Sequence, residues 1–115
     1  MHELSIALSI IDGVLEERDR RGGVQVEAVH LNLGAFSGVD PDALEFAYTI
    51  ARQGTELESS QLIINDVPVM IHCPVCQGER RPLSLHELRC SQCGTPAGEV
   101  VRGRELEIRA LEIAA

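Results

Sequence analysis

Two Cys-x-x-Cys pairs carry the clearest chemistry in this chain. Cys73 and Cys76 form the first pair, and Cys90 and Cys93 form the second after thirteen intervening residues. Each pair can place two sulfurs on one tight turn, and two such turns facing each other make a tetrahedral S4 site that suits Zn(II). All four positions of the ion are then filled, so the spacing predicts a structural zinc ion rather than a catalytic one.

Two other interpretations of these cysteines stay open, an iron site of the rubredoxin kind and a pair of redox dithiols. Rubredoxins resemble the spacing but rely on an aromatic core, and residues 72–98 contain no Phe, Tyr or Trp. The apolar stretch at 4–15 is broken by polar residues and follows no basic segment, so we expect no secretory signal. No run is long enough to span a membrane. We therefore expect a reducing, cytoplasmic location, where paired thiols favour metal over disulfides.

The amino-terminal triplet Met1-His2-Glu3 is a second group of metal donors. His2 is too large for methionine aminopeptidase to release Met1, so we expect Met1 to stay. Its amine, the deprotonated amide nitrogen of His2 and the imidazole Nδ1 can then enclose one ion, with Glu3 as a further donor. Square-planar nitrogen ligation of this kind suits Ni(II) or Cu(II) rather than zinc. The alternative is a disordered terminal histidine without a metal role.

The remaining pattern predicts the elements that position these groups. An amphipathic stripe ends at two consecutive glycines, and a later Asp-Pro pair resembles a helix cap followed by proline in the first turn. Apolar stretches around these helices favour strands. In one of them the apolar residues switch from even-numbered to odd-numbered positions near Ala28. We expect helices at 4–20 and after Asp40-Pro41, and strands at 24–33, 61–70 and 104–113.

This order predicts an α+β fold, with a small three-stranded mixed sheet, two helices on one face and an inserted zinc-ribbon-like module. Residues 1–71 and 99–115 would form an α/β domain that carries the nickel ligands. Residues 72–98 would form the structural zinc-binding module, an excursion from the continuous domain that is too poor in apolar residues to fold without its metal.

The charge distribution narrows the classes of function. The net charge is −8, and residues 1–70 hold four Arg against twelve Asp and Glu. A nucleic-acid partner is not expected, because such binding normally begins with a basic surface. No cysteine is left over as a nucleophile and no serine lies in a G-x-S-x-G setting, so we expect no enzymatic activity. His30, His72 and His86 are expected in structural or surface roles.

Several motifs together resemble one known family, HypA/HybF. The resemblance spans essentially the whole chain and rests on Met1-His2-Glu3-Leu4-Ser5, Gly34-x-x-Ser37-Gly38-Val39-x-Pro41-x-x-Leu44-x-Phe46, the paired Cys-x-x-Cys motifs, and the closing Glu105-Leu106-x-Ile108. Members of this family are nickel metallochaperones for the maturation of [NiFe]-hydrogenase.

The resemblance implies that Ni(II) is a transient cargo held at the amino terminus, with His2 essential and Glu3 supporting it, and that Zn(II) is structural. It implies delivery to a [NiFe]-hydrogenase large-subunit precursor and work with a HypB-type GTPase, since this chain has no G-x-x-x-x-G-K-[ST] loop. Some relatives also serve urease, which adds urease maturation proteins as partners. Monomer and homodimer both stay open. The alternative is a zinc-ribbon protein-interaction or regulatory module with no nickel role.

Overall fold

The computed structural model describes residues 2–114, and its first element is the helix that carries the amino-terminal donors. α1 spans His2–Arg20 and buries one stripe of apolar side chains: Ala7, Ile10, Ile11 and Val14. These positions recur at helical spacing, so burial of that stripe against the sheet stabilises the helix. The predicted amphipathic helix is confirmed, and it begins two residues before the predicted start.

A three-stranded sheet lies beneath the helices, with β1 (Val26–Gly34) between β2 (Gln61–Val67) and β8 (Leu106–Ile113). β1 and β8 run antiparallel, because Gly34 bonds to Glu105 at one end and Gln25 to Ala114 at the other. β1 and β2 run in the same direction, since residues 32 and 35 pair with 65 and 67. The predicted mixed sheet is confirmed. Both Ala28 and Val29 are buried, which accounts for the switch of the apolar residues from even-numbered to odd-numbered positions.

The second helix, α2, spans Pro41–Ala51 and is capped as the sequence predicts. Asp40 has an extended backbone, and its carboxylate accepts hydrogen bonds from the N–H groups of Asp42 (3.0 Å) and Ala43 (3.4 Å). Both helices bury their apolar stripes with residues of β1 and β2, so they cover one face of the sheet. The core comprises Ala7, Ile10, Ile11, Val14, Val26, Val29, Leu31, Leu44, Ala47, Tyr48, Leu57 and Leu62.

The cysteine region holds five short strands that the sequence did not predict. The expected single strand at 61–70 is wrong, because β2 ends at Val67 and a new strand starts at Met70 after Pro68. Proline has no N–H to donate to a ladder, so the strand breaks there. One sheet has the order β4-β3-β7 and a hairpin joins β5 to β6: β3 Met70–Cys73, β4 Gly78–Arg80, β5 Pro82–Ser84, β6 Glu87–Cys90, β7 Glu99–Arg102.

The chain divides into two compact units. The first comprises Met1–Asn32, Val39–Asn65 and Glu107–Ala115, and the second comprises Leu33–Gly38 and Asp66–Leu106. The second unit is longer than the predicted module at 72–98, since β3, β7 and the residues after β1 belong to it. The assignment of a nickel-binding and a zinc-binding domain stays a prediction. Among the described residues, no helix has the length and apolar character needed to cross a membrane.

Candidate metal centres

The four cysteines meet in one cluster. One ligand atom from each of Cys73, Cys76, Cys90 and Cys93 lies within 4.8 Å of the others. The sulfur of Cys73 is 3.5 Å from that of Cys93, and the sulfur of Cys76 is 3.9 Å from that of Cys90 and 3.7 Å from that of Cys93. A zinc–sulfur bond of about 2.3 Å gives a tetrahedron with edges of about 3.8 Å. The cluster is therefore compatible with a structural zinc ion.

Each Cys-x-x-Cys pair is held by the same kind of turn. The N–H of Gln77 donates to the carbonyl of Cys73, and the N–H of Gly94 donates to that of Cys90, both at 2.8 Å. Both donors have positive φ, 58° for Gln77 and 77° for Gly94. Glycine adopts this conformation without steric cost, whereas glutamine does so only when the surrounding turn requires it. The two turns bring the sulfurs together from opposite ends of the segment.

Hydrogen bonds shift the pKa values of individual cysteine thiols in the cluster. The N–H of Cys76 points at the sulfur of Cys73 (3.3 Å), and the hydroxyl of Thr95 lies 3.1 Å from the sulfur of Cys93. The Thr95 hydroxyl and N–H lower the pKa of Cys93 to about 6, which favours its thiolate. The neighbouring sulfurs of Cys93 and Cys73 raise the pKa of Cys76, because hydrogen bonds to them stabilise its protonated thiol. A divalent cation would have to displace that proton to bind the sulfur.

The amino-terminal donors lie in the first turn of α1, while Met1 is outside the described residues. The side chain of His2 is 58% exposed and that of Glu3 is 14% exposed, with His2 Nε2 and Glu3 Oε2 3.6 Å apart. His2 therefore presents an exposed imidazole next to the Glu3 carboxylate in the first turn of α1. The nickel ligand set stays a prediction.

The start of α2 lies close to this turn. The N–H of Asp40 is 3.5 Å from the Glu3 carboxylate, and Asp40 uses its own carboxylate to cap α2. The positive end of a helix dipole disfavours a cation, so acidic groups are needed near any metal held there. Glu3 and Asp40 supply two carboxylates close to the two adjoining helix starts.

No other histidine belongs to the cysteine cluster of the described residues. His30 Nε2 is 3.2 Å from Glu112, and its Nδ1 is 3.5 Å from Arg109 on the same sheet. His72 lies in β3, and His86 is exposed in the turn between β5 and β6. Thr95 is the site residue that sequence reasoning missed. A hydroxyl two residues after the last cysteine was the available indication.

A closed four-sulfur cluster in a small α+β chain that begins with a histidine-bearing helix defines a metal-binding protein. The sequence model of the family described as "Hydrogenase/urease nickel incorporation, metallochaperone, hypA" matches residues 1–113. The chain belongs to this HypA family of metallochaperones. The predicted resemblance is thereby confirmed, and a zinc-ribbon module without a nickel role is not favoured.

Individual relatives agree with this assignment. The chain is 45% identical over 112 residues to the hydrogenase maturation factor HypA of Chloroflexus aurantiacus, covering 97% of this chain and 98% of that protein. It is 35% identical over 113 residues to the factor of the same name from Synechococcus elongatus, covering 98% and 99%. These relatives place the chain among the hydrogenase maturation factors.

Two solved structures share its fold. The solution structure of the nickel metallochaperone HypA from Helicobacter pylori matches with a TM-score of 0.69 and 25% identity, covering 100% of this chain and 99% of that one. Another solution structure of a HypA protein has a TM-score of 0.74 at 24% identity, covering 99% and 97%. The α+β architecture is therefore that of HypA proteins.

Proposed function

We propose that this chain binds Ni(II) at its amino terminus and delivers it to a [NiFe]-hydrogenase precursor during maturation. The observation that carries the proposal is the exposed imidazole of His2 in the first turn of α1, next to the Glu3 carboxylate. The Met1 amine, the His2 amide and the His2 imidazole would hold the ion, with Glu3 as supporting donor. Family membership supports nickel as the cargo.

The exposure of the proposed amino-terminal site allows the nickel ion to be released to a partner. Partner ligands can replace the donors of a planar ion one at a time, because an exposed ion is open to approach. Nickel needs a neutral imidazole, so binding should weaken as the pH falls through the range in which histidine protonates. A weakly held, accessible ion suits a carrier rather than an enzyme, and we assign the chain no catalytic step.

Cys73, Cys76, Cys90 and Cys93 are proposed to hold a structural zinc ion. The sulfur separations support tetrahedral ligation, and four protein ligands leave no open position for substrate. The ion would stabilise the module at 72–98, and residues 1–71 with 99–115 would form the nickel-binding domain. Removing the zinc should unfold the short strands around the cysteines.

The partners follow from the same proposal. A HypB-type GTPase would supply the GTP hydrolysis that this chain cannot perform, and the large-subunit precursor of a [NiFe]-hydrogenase would receive the ion. The family description includes urease, so urease maturation proteins are a second class of recipient. Because the thiols must stay reduced to bind zinc, we assign the protein to the cytoplasm.

The test is a nickel titration of the untagged, zinc-loaded protein beside a form extended by two residues at the amino terminus. The extension keeps His2 and the fold but moves the amine away from the imidazole. We expect the extended form and His2→Ala to lose nickel binding, while His86→Ala, an exposed histidine in a loop, keeps it. Zinc content and circular dichroism should be unchanged in all forms. Equal nickel affinity in the original and extended proteins would exclude the proposed ligand set.

A further inference from the structure

Four large apolar side chains of α1 and α2 are exposed. They are Leu4 and Leu8 on α1, and Phe46 and Ile50 on α2, each pair separated by one helical turn. Phe46 is 68% exposed, the most exposed of the four. A large aromatic side chain in that position contributes little to the core. Its exposure therefore calls for a role outside the folded chain.

The direction in which Leu4 and Leu8 face can be inferred from the residues on the other side of α1. Gly13 and Glu17 lie on the flank of α1 that lines a groove against β8. At 100° per residue, Leu4 and Leu8 fall on the other side of the buried stripe. They therefore lie on the flank of α1 that is turned away from β8.

The same reasoning places Phe46 and Ile50 on α2. Glu45 and Thr49 line a groove against β2, so the flank that carries Phe46 and Ile50 is turned away from β2. β2 and β8 are the two edges of the sheet, and α1 packs against α2 between them. The two remaining flanks border the contact between α1 and α2. We call the strip formed by Leu4, Leu8, Phe46 and Ile50 the apolar seam.

The apolar seam begins at the proposed nickel site. Leu4 is two residues from His2, and the contact between Glu3 and the N–H of Asp40 holds the starts of the two helices together. The helices therefore run in the same direction from this end. A protein bound along the apolar seam would have its own side chains within reach of the His2 imidazole.

The surroundings of the apolar seam are acidic. Residues 2–17 and 40–51 contain seven Asp and Glu and no Arg or Lys. Asp12 lies one turn beyond Leu8 on α1, and the exposed Asp42 lies one turn before Phe46 on α2. A binding surface with this charge attracts basic partners and repels anionic lipid surfaces and nucleic acid.

We infer that the apolar seam is the docking surface for a partner protein that presents an apolar ridge flanked by Arg or Lys. The inference rests on the proposed function, since it gives the seam the task of bringing that partner to the nickel. Burial of Phe46 and its apolar neighbours would supply the affinity. The acidic flanks would supply orientation and a fast, salt-dependent association.

The experiment uses purified HypB-type GTPase as the probe and measures its affinity for the nickel-loaded chain by calorimetry. Phe46→Ser and Ile50→Ser should each weaken binding roughly tenfold or more, because central aromatic and aliphatic anchors dominate interfaces. Leu83→Ser is the matched control, since Leu83 is 56% exposed in β5 of the other unit. Nickel affinity, zinc content and unfolding midpoint should be unchanged in all three variants.

Charge is tested with Asp12→Arg, one turn beyond Leu8, which should weaken binding at low salt and reduce its dependence on salt. Amide chemical shifts that change on α1 and α2 when the GTPase is added would support the inference. Binding that is unchanged in Phe46→Ser and Ile50→Ser would overturn it while leaving the proposed function intact. Failure of the original chain to bind the GTPase would overturn both the inference and the proposed partner, whereas failure to bind nickel would overturn the proposed function itself.

Discussion

Replacement of Gly34 by alanine should destabilise the protein severely, because two backbone segments cross there. A Cβ on Gly34 would lie 2.1 Å from the carbonyl oxygen of Gly103 and 2.7 Å from the nitrogen of Arg104. Both are backbone atoms, so no change of side-chain conformation can relieve the contact. Gly103 cannot retreat easily, since it has a φ of 117° and a Cβ built on it would lie 2.8 Å from Val69.

The magnitude follows from the hydrogen bonds that the crossing makes. The segments would have to separate by more than about 1 Å to reach ordinary van der Waals contact. That movement would break the bond from the N–H of Gly34 to Glu105 (2.8 Å) and the bond from the N–H of Phe36 to Gly103 (2.6 Å). Breaking two such bonds and relieving the overpacking costs about 2–5 kcal/mol of unfolding free energy.

The measurement is urea unfolding of the zinc-loaded protein, followed by far-ultraviolet circular dichroism. Gly13→Ala is the matched control, because a Cβ there meets nothing within 4 Å and the residue lies inside α1. Alanine should stabilise that helix by up to about 1 kcal/mol. The reasoning is refuted if Gly34→Ala unfolds within about 0.5 kcal/mol of the original chain.

Three further substitutions test the site and its support. Thr95→Val removes a hydroxyl that lowers the pKa of the Cys93 thiol. Because protons then compete with zinc for this sulfur more strongly, the variant should release zinc to a chromogenic chelator at higher pH, and an unchanged midpoint would contradict this. Asp40→Ala should cost about 1 kcal/mol in thermal unfolding through loss of the α2 cap, and Asp40→Asn should retain most of it. Tyr48→Phe should cost about 1 kcal/mol in urea unfolding by removing the buried 2.6 Å bond to Ser60, and no loss would show that this bond contributes nothing net.

The sequence predicted the parts of the molecule that local patterns determine. The stripe of α1 depends on short-range periodicity, and the Asp40 cap depends on one hydrogen-bonding side chain. The meeting of the four cysteines was also foreseeable, because two tight sulfur-bearing turns have few other ways to satisfy their thiolates. These features need no knowledge of distant contacts.

Other features depend on contacts that the sequence does not reveal. Five strands of three or four residues surround the cysteines, and such segments are too short to show a period of two. The close approach of Gly34 to Gly103 joins residues far apart in the chain, and only the folded backbone reveals it.

The two proposed metal sites differ in the one property that separates a structural ion from a cargo. Cys73 and Cys90 are fully buried, so water and competing ligands cannot easily reach these two of the four sulfurs that would hold zinc, whereas Cys76 is half-buried and Cys93 is exposed. The His2 side chain is more than half exposed, so a recipient's ligands can approach an ion bound there. A protein that retains zinc but transfers nickel needs this difference in how easily other ligands can reach the two ions. Nickel should therefore exchange with a chelator much faster than zinc does.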